Sequence, residues 1–131
     1  MNKKYTGADR RKFKRLKASL IVIYRVHKPL EALVRIGTRE INALMLDLSE
    51  GGMAIVTNCN IPVSTILLIK FTLINPYTFD DERIRTMEIT GQIRNNALLE
   101  KKEYRLGVCF TQIAKEDRIA IANFVKMAIN R

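Results

Sequence analysis

Ile41-Asn42-Ala43-Leu44-Met45-Leu46-Asp47-Leu48-Ser49-Glu50-Gly51-Gly52-Met53-Ala54-Ile55-Val56-Thr57 is the stretch on which the fold turns. Ile41 to Leu48 is an apolar run of strand length. Ser49-Glu50-Gly51-Gly52 then supplies turn residues, and Met53 to Thr57 resumes an apolar run of the same character. The reading is strand, tight turn, strand. Asp47 and Ser49 stand two apart, so strict alternation puts them on one face of the strand with Leu48 on the other. Gly51 and Gly52 permit positive φ and let backbone approach a ligand without a Cβ in the way.

Working outward toward the C-terminus, Thr57-Asn58-Cys59-Asn60 and Pro62 form a polar connection. Val63 to Ile74 is apolar enough for a core strand, and Asn75-Pro76 with Asp80-Asp81-Glu82 marks an exposed loop. Ile84 to Arg94 alternates, with Ile84, Thr86, Glu88, Thr90 and Gln92 on one face, and Asn95-Asn96 begins the next turn. Tyr104 to Phe110 is the last strand, with Gly107 a bulge or close-approach point. The period then changes: Ile113, Asp117, Ile121, Phe124, Val125 and Ala128 recur every three to four residues. That spacing predicts an amphipathic helix over 115–130, with Glu116 and Asp117 near its positive end. Toward the N-terminus, Ala18 to Val26 is a strand that Pro29 breaks, and Leu30 to Arg39 fits neither period cleanly. Six or so short strands followed by one helix predict an all-β dominated fold, a small antiparallel β-barrel with a C-terminal α-helix closing its open end.

The chain has 131 residues, 47% apolar residues and a mean hydropathy of −0.06, which suits one globular domain with one core. No apolar run reaches the length of a membrane span, and Lys3 and Lys4 are followed by polar and charged residues rather than an apolar leader. The expectation is a cytoplasmic protein with no membrane insertion and no attached output domain. Cys59 and Cys109 are far apart and not near the single histidine, His27, which fits free thiols and argues against zinc. No nucleophile–base pair and no phosphate-loop or HExxH pattern is present, so the chain reads as no enzyme, with no cofactor and no metal.

The charge is uneven. Residues 1–18 carry eight Lys/Arg and one Asp, a balance of +7 out of +10 for the whole chain. Arg10, Arg11, Lys12, Lys14 and Arg15 place five cations in six positions, interrupted only by Phe13. A nearly neutral body with a basic arm suggests one anionic ligand or one docking surface. The domain reading is a flexible basic arm over 1–18 and a barrel plus helix over 19–131. Arg11 and Arg15 offer two guanidinium forks four residues apart, suited to phosphate oxygens and to the O6/N7 edge of guanine. Asp47 offers a carboxylate to guanine's N1–H and N2–H₂ donors. Taken singly, a basic run is as readily a solvated tail, and Asp-x-Ser-x-x-Gly is more often a hairpin turn.

Taken together, Arg11-Lys12-Phe13-Lys14-Arg15 as RxxxR and Asp47-x-Ser49-x-x-Gly52 as [D/N]xSxxG resemble the PilZ domain, the bacterial receptor for cyclic di-GMP. Gly52-Met53-Ala54-Ile55, Gly91-Gln92-Ile93 and Leu106-Gly107-Val108-Cys109-Phe110 extend the resemblance over most of the chain. It implies a six-stranded PilZ-type barrel in which Arg11 and Arg15 grip phosphates and guanine. Asp47 and Ser49 reach guanine, and Gly51 and Gly52 leave it room. It also implies that Arg10, just before the first motif arginine, favours an intercalated pair of ligands over a single one. The expected partners are cyclic di-GMP and a protein that reads the bound state, with no DNA and no oligomeric state specified. Two other readings compete. One is a small basic β-barrel that binds single-stranded nucleic acid, although such barrels lay aromatic platforms along exposed strands and here Tyr24, Phe71, Tyr104 and Phe110 sit in core-like contexts. The other is a protein-interaction module with the arm as docking peptide.

Overall fold

The computed structural model describes residues 15–76, 79 and 81–129. Six strands, β1 (Leu16–Lys28), β2 (Ile41–Ser49), β3 (Gly52–Thr57), β4 (Ile66–Ile74), β5 (Ile84–Leu98) and β6 (Tyr104–Gln112), close into a barrel in the order β1-β2-β3-β6-β5-β4. Every neighbouring pair is antiparallel. Two α-helices accompany it among the described residues, α1 (Leu30–Ile36) and α2 (Lys115–Ile129).

Side-chain alternation fills the barrel. Val22, Tyr24 and Val26 from β1 meet Leu67, Ile69, Phe71 and Leu73 from β4 and Met87, Ile89 and Ile93 from β5 in one buried cluster. The face of β5 expected to be polar does point outward, while Met87, Ile89, Gly91 and Ile93 point in. The interior is thus packed with side chains, which leaves the rim and the outer face as the places where a site can lie. One buried polar pair interrupts the apolar lining. The Tyr24 hydroxyl and the Thr57 hydroxyl share a 2.8 Å hydrogen bond, and burial pushes the phenol up to about 12.

Helix α2 buries Ile121 and Val125 in the core cluster and carries Glu116 and Asp117 in its first turn, as its periodicity predicts. Arg85 of β5 donates to Asp117 at 2.8 Å, fixing the first turn of the helix to the barrel wall.

Several boundaries differ from the sequence expectation. Strand β1 starts at Leu16, where Leu16 pairs with Leu48 and Lys17 with Asp47, so the last residues assigned to the arm belong to the barrel. The ambiguous stretch 30–39 contains α1, which ends where Gly37 adopts φ 96° and its N–H bonds to the Leu33 carbonyl. Strand β4 starts at Ile66, not Val63. Val63 and Ser64 lie in the preceding turn, with Ser64 at φ 81°. Strand β5 runs through Asn95-Asn96 to Leu98, because a bulge absorbs the irregularity that reads as a turn.

Candidate functional site

A register fault in β2 presents the site's carboxylate. Ile41, Ala43 and Met45 face the core. Uninterrupted alternation would carry Asp47 inward as well, where an unpaired carboxylate is costly. Met45 pairs with Ile55 but Asp47 pairs with Ala54, so Leu46 is one residue too many opposite β3. This bulge inverts the phase. Leu48 enters the core fully buried, and Asp47 turns outward to the rim.

There Asp47 stands between two arginines. Arg15 Nη1 lies 3.5 Å from its Oδ1, and Arg105 Nη2, from β6, lies 3.5 Å from its Oδ2. Both pairs are long and partly open to water, so each contributes under about 1 kcal/mol. They set a charge pattern more than they hold the fold.

Ser49 is nearly buried and shapes the turn that follows. Its hydroxyl accepts from the Gly51 N–H at 3.2 Å and donates to the Gly52 carbonyl at 3.4 Å. One lone pair remains available to a donor. The glycines do not supply the positive φ expected of them. Among the described residues the only glycine with positive φ is Gly37, so Gly51 and Gly52 are not there for a left-handed turn. Gly52 pairs with Cys109 of β6, and a Cβ on it would lie 2.1 Å from the Val108 carbonyl oxygen. What requires glycine at 52 is the close approach of β3 to β6.

Around this turn lies a concave pocket of about 320 Å³. Its floor includes Gly52, Gly107, Val108 and Cys109, and its polar lining includes Arg15, Ser49, Arg94, Asn95 and Arg105. Three guanidinium groups therefore surround one pocket beside a single carboxylate, which favours an anionic ligand that also carries hydrogen-bond donors. A second concavity, of about 330 Å³ on the outer face of β1, β4 and β5, sets Arg25 and Lys70 against Glu40 and Glu88 and has no such bias. The turn is also tied to α2: Arg118 Nη1 donates to the Glu50 carbonyl at 3.3 Å.

Of the residues expected at the site, the structure brings together Arg15, Asp47, Ser49, Gly51 and Gly52. Arg10 and Arg11 lie outside the described residues. Arg94, Asn95 and Arg105 are additional, and sequence reasoning missed them. For Arg105 the signal was present: Leu106, Val108 and Phe110 are the inward residues of β6, so Arg105, Gly107 and Cys109 share the outer face. For Arg94 and Asn95 the cue was obscured by a second bulge. Ile93 pairs with Val108 and Asn95 with Gly107, leaving Arg94 unmatched. Gly107 is the close-approach point expected of it, since a Cβ there would meet the Asn95 amide at 2.6 Å.

Among the described residues no helix is long and apolar enough to cross a membrane. No group of three His, Cys, Asp or Glu that could hold a metal ion occurs among them.

Comparison with known proteins bears on this arrangement. The sequence model of one family, described as PilZ domain, matches residues 9–127. No curated protein matches the sequence. Among solved structures, the inhibitor of motility MotI/DgrA of Bacillus subtilis is similar at 20% identity and a TM-score of 0.71, covering 93% of this chain and 53% of that one. The PilZ domain of YcgR from Escherichia coli, solved with c-di-GMP, is similar at 13% identity and a TM-score of 0.58, covering 92% of both chains. PlzA of Borreliella burgdorferi, in complex with c-di-GMP, is similar at 16% identity and 0.58, covering 92% of this chain and 43% of that one. The chain thus spans about half the length of the first and third of these. At these identities the likeness is one of fold.

Proposed function

Since this chain belongs to the PilZ domain family, by the match over residues 9–127, we propose that it is a receptor for cyclic di-GMP. The observation that carries the reading is the outward carriage of Asp47 between Arg15 and Arg105, beside a pocket with further cationic lining. Cyclic di-GMP presents the complementary chemistry. Its two phosphodiesters are anionic, and its guanines offer O6/N7 acceptors to guanidinium groups and N1–H and N2–H₂ donors to a carboxylate. In this reading Arg10, Arg11 and Arg15 bind phosphate and guanine, Asp47 selects guanine, and the Ser49 lone pair takes a ligand donor. Gly51 and Gly52 keep the turn free of side chains where the ligand lies.

The bound state is then passed to a partner protein by a change in conformation. The contact from Arg118 to the Glu50 carbonyl supports a route, because it joins the ligand-facing turn to the first turn of α2. The nucleic-acid reading is weaker. Tyr24, Phe71 and Phe110 are buried in the barrel and Tyr104 is half-buried rather than core, so these four lay no exposed row of rings along the strands.

Isothermal titration of the full chain with cyclic di-GMP, cyclic di-AMP, GTP and a single-stranded oligonucleotide tests the proposal. Saturable binding of cyclic di-GMP, at least tenfold tighter than of the others, is expected. Equal or tighter binding of the oligonucleotide refutes it.

A further inference from the structure

The motif residues form only one side of the pocket. Arg15, just before β1, and Ser49 of β2 line it, with Asp47 beside them on Arg15, whereas the lining from β5 and β6 carries its own polar set, Arg94, Asn95 and Arg105. We propose that these three residues form a second subsite for the same ligand. Arg94 and Arg105 take a phosphodiester that the motif arginines leave open, and the Asn95 amide meets a base edge. This rests on the cyclic dinucleotide reading and extends it to residues outside either sequence motif.

Three observations converge on it. The first is the bulge at Arg94. Ile93 is fully buried, so an unbroken strand would send Asn95 into the barrel interior, where its amide would lack partners. The bulge instead leaves Arg94 and Asn95 both exposed on the pocket side. Bulges of this kind re-aim side chains, and here the one at Arg94 aims polar groups at the pocket while another, at Leu46, sets Asp47 against two of the pocket's arginines.

The second is the seat of Asn95. Its amide lies over Gly107, where a Cβ would come within 2.6 Å of both Oδ1 and Nδ2. A flat group resting on a glycine carries one acceptor and two donors, which can match the mixed donor and acceptor edge of guanine. The third is the pairing of Arg105. At 3.5 Å from Asp47 Oδ2 and partly open to water, it is held weakly enough for a phosphate to compete for it.

The experiment is titration of the full chain with cyclic di-GMP for the unmodified protein and for Arg94→Met, Arg105→Met, Arg105→Lys and Asn95→Ala, each with a thermal melt. Arg94→Met and Arg105→Met are each expected to weaken binding by about tenfold or more, with the melting midpoint little changed. Arg105→Lys keeps the charge and recovers part of the loss, though not all, because an ammonium lacks the planar fork. The affinity of Arg94→Met should fall less steeply with added salt than that of the unmodified chain, which a merely structural role for Arg94 would not produce. Asn95→Ala should narrow the preference for cyclic di-GMP over cyclic di-AMP. If the unmodified chain binds and both methionine variants bind within twofold of it, the subsite is refuted while the receptor reading stands. If the unmodified chain does not bind cyclic di-GMP, the receptor reading fails and the subsite fails with it.

Discussion

Replacing Gly52 by alanine separates two accounts of why that glycine is there. The proposed ligand site calls for clearance there, and the close approach of β3 to β6 calls for glycine independently of any ligand. An added Cβ would lie 2.1 Å from the Val108 carbonyl oxygen, and that oxygen is backbone, fixed beside the end pair of the β3–β6 ladder and not a side chain that can swing away. A tolerable carbon–oxygen contact is longer by about 1 Å, so β3 and β6 must part by that amount around Gly52 and Cys109. Overpacking of this kind typically costs about 1–3 kcal/mol. Weakening one adjacent ladder hydrogen bond adds about 1 kcal/mol, for a total of about 2–4 kcal/mol. For a domain of this length 1 kcal/mol shifts the midpoint by about 3–5 °C, so Gly52→Ala should melt about 6–20 °C lower. Gly107→Ala is the contrast. Its Cβ would meet the Asn95 amide, the far end of a movable side chain, so stability should fall by under about 1 kcal/mol. Displacing Asn95 into the pocket should nonetheless weaken cyclic di-GMP binding. Calorimetric or circular-dichroism melts with parallel titrations measure both. A Gly52→Ala protein that melts like the unmodified chain but has lost its ligand would refute the packing argument.

Arg11→Ala and Arg15→Ala should each lower cyclic di-GMP affinity by about 1.5–3 kcal/mol, and Lys12→Ala only modestly; equal small losses in all three would reduce the arm to a diffuse tether. Asp47→Ala should erode discrimination between cyclic di-GMP and cyclic di-AMP, since adenine lacks the donors a carboxylate accepts, and selectivity that survives would place guanine recognition elsewhere. Titration at known active protein concentration should give two ligands per chain, falling to one in Arg10→Leu; a 1:1 endpoint for the unmodified chain rules out the paired ligand. The folded pKa of Tyr24, raised to about 12, lies above its ordinary value of 10, so the neutral hydroxyl stabilises the fold fully below about pH 10 and progressively less up to about pH 12. Denaturant titrations of Tyr24→Phe across that range should show a shallower alkaline loss than the unmodified chain, and parallel curves would contradict the assignment.

The strands were legible where alternation is unbroken, as in Val22-Ile23-Tyr24 and in Met87-Glu88-Ile89, because period two is itself a statement about one buried face. Helix α2 was legible because its period changes so sharply after Ile113. Legibility failed at the bulges, where one extra residue inverts the phase. Asn95-Asn96 reads as a turn because Asn is a turn residue, yet β6 continues to pair beside it. Asp47 and Ser49 were found by their spacing. The reason Asp47 faces outward, an extra Leu46, depends on the register of β3 and is not written in β2 alone. Arg105 is local in sequence to nothing else in the site, and only closure of the barrel brings it to a carboxylate 58 positions earlier. The short helix α1 lay in a segment whose Leu30 and Val34 remain exposed, which leaves too thin an apolar stripe to announce itself.

Closure of the sheet limits how any second protein can recognise this one. Each of the six strands is bonded on both sides, so the barrel has no open edge on which an incoming peptide could add a strand. Recognition by backbone addition, which tolerates many sequences, is thereby excluded for the barrel wall. A partner that docks on the described part of the molecule must read side chains on the outer face, on the rim turns or on α2, and its affinity will depend on their particular identities. Single substitutions at a few surface positions, with the barrel left intact, should therefore be enough to abolish recognition by such a partner.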